Sequence, residues 1–385
     1  MDTAFRRAIA QRLATRFPGA TLSSLVGAHG SPLLILDAAQ LMYQLDELRH
    51  LFPRVTPHYA VKACAAPEVL QILAANNCHF DVASSGEIDA LEHISVTPDR
   101  IIHTYPHKKT QDVERARAYG IGNFVVDCDQ ELDLLAPYAD EMTINLRISY
   151  PNDIAHIDLS HKFGVDYDDA LRLALAAAER GLRVTSLCFH VGSQLDNPEP
   201  FVDGLKKTAA LRDRLRENGI KIEQIDIGGG FPIDYVEPAA KLETFAAVVN
   251  PLLDSLFPDE TIISEPGRYI VGPAMTLVSS VVAVTKRHGE QWVFMDEGIY
   301  GSLADQVISK MEYCYLSEKE LRGELPTERY VLAGPTCDSL DIVSESYLLP
   351  STTKGDLIVV PHIGAYSWSL ATRFNSLPVA PVVVV

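Results

Sequence analysis

From about residue 57 to 266 one pattern of apolar and polar positions repeats: a short apolar run rich in Val, Ile and Phe, then a longer stretch with helical spacing. Eight such runs begin near His58, His79, Ile101, Asn123, Met142, Val184, Glu223 and Thr261. The helical spacing is clearest over 168–180 and 201–218. Strands that alternate with helices pair in parallel, and eight β/α units close a TIM-like barrel, so the predicted class is α/β. In that architecture functional side chains collect at the C-terminal ends of the strands. After Tyr269 the texture changes to alternating or fully apolar runs at 275–285, 292–295, 330–332 and 356–360, separated by Gly, Pro and charged turns. That predicts a C-terminal β domain with a boundary near residue 270. An isolated apolar run at 32–37 precedes the barrel, and pattern alone does not assign it. The longest apolar stretches, near 275–285 and at the Val-rich end, are strand-sized and short of the roughly 18 residues that span a bilayer.

With 385 residues, 47% of them apolar, the chain can bury a large core and is expected to form two domains. Lys and Arg number 33 against 51 Asp and Glu, a formal charge of -18, which argues against nucleic acid as a partner. A small-molecule substrate is the better expectation. An acidic surface is first of all a solubility device, and it also favours the approach of cations. The six cysteines, Cys64, Cys78, Cys128, Cys188, Cys314 and Cys337, show no zinc or redox spacing. They read as reduced thiols of a cytoplasmic protein with no metal centre and no membrane partner. Near the N-terminus Arg6, Arg7, Arg12 and Arg16 alternate with short apolar stretches, which suits an amphipathic surface helix and lacks the apolar region of a secretory signal.

The chemically capable residues fall at the ends of the eight runs. Lys62 ends the first, Glu87 follows the second, Arg147 ends the fifth, and His190-Val191-Gly192-Ser193 ends the sixth. Gly228 to Gly230 end the seventh, and Glu265-Pro266-Gly267-Arg268 ends the eighth. Each alone has a plainer explanation: a lysine beside a strand usually snorkels, a lone histidine is usually structural, and three glycines usually make a turn. Their joint occurrence at one barrel mouth suits an anionic phosphate ester with an electrophilic aldehyde. Glycine backbone admits close N–H donors to a phosphate, and Arg268 adds charge. A lysine in a partly apolar setting suits a Schiff base, and a glutamate can hold a pyridine nitrogen protonated.

Eight ordered motifs, spread over about residues 32 to 375, carry a specific resemblance. They are Tyr59-Ala60-Val61-Lys62, Phe80-Asp81-Val82-Ala83-Ser84, His190-Val191-Gly192-Ser193, Gly228-Gly229-Gly230-Phe231-Pro232, Glu265-Pro266-Gly267-Arg268-Tyr269, Tyr300-Gly301-Ser302, Gly334-Pro335-Thr336-Cys337-Asp338 and Gly364-Ala365-Tyr366. Together they resemble the ornithine/diaminopimelate decarboxylase family of fold-type III, pyridoxal 5'-phosphate (PLP) enzymes. The resemblance implies an alanine-racemase-like fold: residues 1–31 a helical segment, 32–37 a strand contributed to the β domain, 38–270 the PLP-binding barrel and 271–385 the C-terminal β domain. It implies that Lys62 carries PLP as a Schiff base, that Glu265 pairs with the pyridine nitrogen and that His190 stacks on the ring. Asp81, Glu87 and Arg147 would support them, while Ser193, Gly229, Gly230, Gly267, Arg268 and Tyr366 would bind the phosphate. It further implies a homodimer with shared active sites, in which Cys337 and Asp338 arrive from the neighbouring subunit. There Cys337 would protonate the substrate carbon after carbon dioxide leaves and Asp338 would bind the substrate's distal end, with Tyr300 and Ser309 also among the substrate-binding residues.

The Cys337-Asp338 pair resembles the ornithine/lysine branch, which implies decarboxylation of a basic L-amino acid to a polyamine-type amine. Gln194 after Ser193 is closer to the diaminopimelate pattern. Ornithine decarboxylases carry a second acid about ten positions past Tyr-Gly-Ser, and here that place holds Ser309, with Asp305 or Glu312 as substitutes if the loop is shifted. The alternatives are therefore diaminopimelate or a modified amino acid as substrate. A racemase would need a second base and no Glu265, and a non-catalytic relative would have lost Lys62, Cys337 or the phosphate donors.

Overall fold

The computed structural model describes residues 2–152 and 160–385. These form two compact units, one made of Met42–Pro232 and Ala240–Ile270, the other of Met1–Leu41, Ile233–Ala239 and Val271–Val385.

The first strand of the chain, Leu33–Leu36 (β1), lies in the second of these units, and the next eight build the first. They are β2 (Val55–Ala60), β3 (His79–Val82), β4 (Ile101–His103), β5 (Asn123–Val126), β6 (Thr143–Ile148), β7 (Arg183–Phe189), β8 (Gln224–Asp226) and β9 (Thr261–Ser264). Each pairs in parallel with its neighbour in the chain, and β2 pairs with β9 through Val55 and Ile262, so the sheet closes into the predicted barrel. Every strand starts within three residues of the run predicted for it. Helices such as Ala170–Glu179 and Glu199–Glu217 make the return connections. In Ala170–Glu179 the buried residues Ala170, Leu173, Ala174 and Ala177 recur every three or four positions, which puts one apolar stripe against the sheet. Each fully buried Leu, Val, Ile or Phe of this core contributes about 1.5–3 kcal/mol.

The other unit is a mixed sheet of β1, β10 (Met275–Arg287), β11 (Glu290–Met295), β12 (Leu316–Ser317), β13 (Glu328–Ala333), β14 (Ile342–Leu349), β15 (Leu357–Pro361) and β16 (Val382–Val384). Strand β10 is its hub: antiparallel to β1 and β15 along its first half and to β11 along its second. Strand β1 lies between β10 and β16, which explains why Leu33 to Leu36 are all buried and why no polar alternation marks this strand. Strand β14, missed by the sequence reading, has an Ile-Val-Ser-Glu-Ser-Tyr-Leu-Leu composition with exposed positions at its centre, so it lacks a continuous apolar run.

The N-terminal helix corrects an expectation. Thr3–Arg16 is helical, but it is not simply a surface helix. Ile9, Leu13 and Phe17 belong to a buried cluster with Leu22, Leu33, Ile35, Val278, Leu316 and Val359. Arg6 is buried too. Its Nε donates to Glu320 Oε2 at 2.7 Å, and its Nη2 donates to Glu320 Oε1 and to the carbonyls of Tyr315 and Leu348. The guanidinium also lies 5.0 Å from the centre of the Tyr347 ring. A lysine-like snorkelling position is impossible there, and an arginine fork that satisfies four acceptors is what the site takes.

Among the described residues no helix is long and apolar enough to cross a membrane. Replacing Arg6 by Met leaves the buried Glu320 carboxylate without its cation, with only the Ser317 N–H still donating to it, and takes the arginine's donors from two carbonyls. The expected loss is about 3–5 kcal/mol of unfolding free energy, read by urea denaturation of the variant against the parent.

Candidate active site

The mouth of the barrel begins at the single turn Val61–Ala63 that follows β2. Flanking Val61 and Ala63 are buried, so the turn projects Lys62 out of the core. Its Nζ donates to Asp81 Oδ2 at 2.7 Å; the lysine side chain is 43% exposed and the Asp81 side chain 1%. Asp81, on β3, also accepts from the Thr104 hydroxyl through Oδ1. Glu87 sits in the first turn of helix Ser85–His93, whose N-terminus Ser84 caps, and its Oε2 accepts from Ala83 N–H at 2.6 Å. Burial, with a smaller contribution from Asp81, raises the Glu87 carboxyl to about 7.

Two loops meet beyond β7 and β8. His190 Nδ1 accepts from Gly192 N–H at 3.1 Å, so that nitrogen carries no proton and a neutral ring has its hydrogen on Nε2. Burial, then Arg147 and Lys62, lower the imidazole to about 3. Arg147, at β6, has its guanidinium 5.0 Å from the centre of the Phe163 ring. Ser193 follows, half-buried. A side chain on Gly229 would place its Cβ 2.6 Å from Glu265 O, and one on Gly230, at φ 110°, would place it 2.3 Å from Gly192 O. Gly267 is 2.8 Å from Ala63 Cβ by the same test. The glycines therefore let the segments after β2, β7, β8 and β9 close on one another, leaving their backbone at the mouth. Arg268 is buried at the start of the short helix Arg268–Val271.

The sequence reading missed Asp226. It ends β8, fully buried, and its Oδ1 accepts from Gly228 N–H at 2.9 Å. Burial and the neighbouring Glu265 hold its carboxyl well above the usual range. Glu265 is raised by burial and by Asp81, against smaller lowering effects of Lys62, Asp226 and Arg147. Both carboxyls of this pair therefore lie above their ordinary range, Asp226 further above it than Glu265. An aspartate inside the apolar run Ile225-Asp226-Ile227 was the available signal.

These residues fit pyridoxal phosphate. A lysine amine, a neutral imidazole, a buried carboxylate able to face a protonated ring nitrogen, and glycine-rich backbone beside an arginine are the donors and acceptors that it requires.

In the β unit, the Tyr300 hydroxyl donates to Asp338 Oδ2. That bond, with Leu340 N–H, holds the Asp338 carboxyl below the usual range, so it is ionised at neutral pH. Cys337 is exposed. Asp341 is buried and accepts from Ile299 N–H, Thr336 N–H and the Thr336 hydroxyl, which fixes the loop that carries Cys337 and Asp338. Ser309 caps the end of the short helix Asp305–Ile308. Asp305 does not stand in for an acid at Ser309: it is fully buried and takes the Tyr313 hydroxyl. Glu312 is exposed, and Tyr366 holds a left-handed backbone at φ 57°.

A parallel barrel followed by a β unit, with a lysine after the first barrel strand and a buried glutamate after the last, defines a fold-type III PLP enzyme. The chain belongs to the pyridoxal-dependent decarboxylases, since residues 38–272 match the family model "Pyridoxal-dependent decarboxylase, pyridoxal binding domain". It is 35% identical to a lysine/ornithine decarboxylase of Selenomonas ruminantium, over 92% of this chain and 89% of that one. Among solved structures it resembles a lysine/ornithine decarboxylase of Vibrio vulnificus complexed with cadaverine, at 34% identity and a TM-score of 0.89, covering 94% of this chain and 97% of that one. It also resembles the arginine decarboxylase of Paramecium bursaria Chlorella virus, at 29% identity and a TM-score of 0.89, covering 95% of this chain and 100% of that one.

A raised carboxyl in the folded state binds its proton more tightly than the unfolded chain does. Glu87 therefore makes the fold lose stability as pH rises from about 4.5 to about 7. In the cofactor-free protein, Glu87→Gln should flatten that slope, gaining up to about 3 kcal/mol over the parent at pH 8 by chemical denaturation.

Proposed function

We propose that this chain releases carbon dioxide from a basic L-amino acid, of the ornithine or lysine kind, and yields the corresponding amine. The observation that carries the substrate is Asp338: an ionised carboxylate on an anchored loop, suited to a distal ammonium. The names of the Selenomonas and Vibrio relatives support the same substrate class.

Lys62 is the amine to which the cofactor attaches, and Asp81 holds its Nζ. Bound pyridoxal phosphate supplies an aldehyde that takes up the substrate amine and a ring that accepts the electron pair left when carbon dioxide departs. The Glu265 carboxylate would hold a proton on the ring nitrogen, with the buried Asp226 beside it. His190, neutral throughout the working pH range, offers a flat uncharged face against the ring. Ser193, Gly229, Gly230, Gly267 and Arg268 hold the phosphate. The working form is a cytoplasmic homodimer, in which Cys337 and Asp338 of one protomer complete the site of the other. Cys337 returns a proton to the substrate carbon.

A second reading, a diamino acid with a modified distal group, is favoured by the burial of Asp305 beside Ser309, which leaves no second acid from that helix. The test is carbon dioxide release from L-ornithine, L-lysine, L-arginine, 2,4-diaminobutyrate and meso-diaminopimelate. Turnover of one of the four monocarboxylic acids supports the main reading. Turnover of none, with cofactor bound, supports the second. Asp338→Asn should lower kcat/KM for a cationic substrate about 10- to 100-fold, the worth of one charge-assisted hydrogen bond. Lys62→Ala should abolish the visible absorbance of protein-bound cofactor together with turnover; an active variant would remove Lys62 from its role.

A further inference from the structure

The Asn375 side chain is shared between two atoms of Cys337. Its Oδ1 accepts from Cys337 N–H at 2.9 Å, and its Nδ2 donates to Cys337 Sγ at 3.2 Å. The orientation of the carboxamide is fixed by chemistry: a backbone N–H can meet only the oxygen, so the nitrogen must face the sulfur. Asn375 in turn sits on an anchored segment. Thr372 donates to Tyr300 O through its N–H at 2.8 Å and its hydroxyl at 2.9 Å, and the Phe374 ring stacks on Tyr300 at 4.6 Å between centres. Tyr300 then reaches Asp338, next to Cys337. The contacts form a closed circuit, Tyr300 to Phe374, Asn375, Cys337, Asp338 and back, around the sulfur. At φ 55° and ψ 19° Asn375 holds the left-handed region, where Asn is one of few side chains at ease.

We infer that Asn375 is a positioning residue for the Cys337 thiol, which it holds in one orientation for proton delivery. The inference rests on the proposed role of Cys337. With a sulfur lone pair occupied by Nδ2–H, the S–H points away from the carboxamide. On transfer the proton moves from Sγ to the carbon that has lost carbon dioxide, the S–H electron pair stays on sulfur, and Nδ2–H remains to donate to the thiolate. A thiol free to rotate lets the proton reach the cofactor carbon instead. Water then releases a carbonyl compound and leaves pyridoxamine phosphate in place of the amine product.

The test uses Asn375→Gly, which keeps the left-handed backbone and removes both contacts, and Asn375→Asp, which keeps only the acceptor. Cys337→Ala is the reference. Two quantities are read in the full-length holoenzyme: alkylation of Cys337 by iodoacetamide without substrate, by peptide mass spectrometry, and the ratio of carbonyl to amine product with substrate. Expected are alkylation several-fold slower in Asn375→Gly, where the reacting thiolate loses its Nδ2–H donor, and in both Asn375 variants a raised carbonyl fraction with kcat about 10- to 100-fold lower. Parental alkylation and product ratio in Asn375→Gly overturn the inference. If Cys337→Ala itself makes amine alone at the parental rate, the reading of Cys337 falls and the inference with it. If Cys337→Ala misdirects the proton while Asn375→Gly does not, only the role of Asn375 falls.

Discussion

The barrel mouth must keep three carboxyl groups out of water within reach of one another. Asp81 and Asp226 are buried there with Glu265 beside them, and like charges in such a place cannot all persist unaided. Two devices hold them. Lys62 pairs with Asp81, and burial makes Asp226 and Glu265 hold a proton to higher pH than ordinary carboxyls do, Asp226 the more strongly. Much else follows from this balance. Glycine is required wherever the segments after β2, β7, β8 and β9 close over the group, because a single Cβ would strike a carbonyl or a neighbouring alanine. The low basicity of His190 follows in part from the same cations that hold the acids.

The sequence disclosed periodic features well and singular ones poorly. Eight apolar runs with helical intervals required a closed parallel sheet, and the strand-end residues Lys62, Arg147, His190, Gly229 and Glu265 were visible because motifs interrupt that rhythm. Strand β1 was visible as an apolar run without an assignment, because what makes Leu33–Leu36 a strand is its pairing with residues from far along the chain. Asp226 was hidden inside a run read only for its hydrophobicity. Arg6 was read as a surface charge, since nothing local tells that Glu320 and two carbonyls wait for it. Asn375 has no motif at all, and only the approach of its segment to Cys337 gives it meaning.

The two units also differ in how they hold their polar side chains. In the barrel unit the reactive groups are mostly buried and tuned by desolvation and by neighbouring charge. In the β unit Cys337 is exposed and Asp338 half-buried, and their order comes from short hydrogen-bonded loops anchored on Asp341 and Tyr300. One set is specified by electrostatics and the other by loop geometry.

Strand β1 has a consequence for how the chain is made. It leaves the ribosome before the barrel, yet its partners β10 and β16 come some two hundred or more residues later. The barrel strands, each paired with its neighbour in the chain save for the closing pair, all emerge before β10. Leu33–Leu36 and the helices before it must therefore wait, uncovered, while the barrel is synthesised. The entropy of closing so long a loop rises only logarithmically with its length, so the delay bears chiefly on kinetics. During that interval Leu33–Leu36 form a sticky apolar segment, one with much to gain from a chaperone.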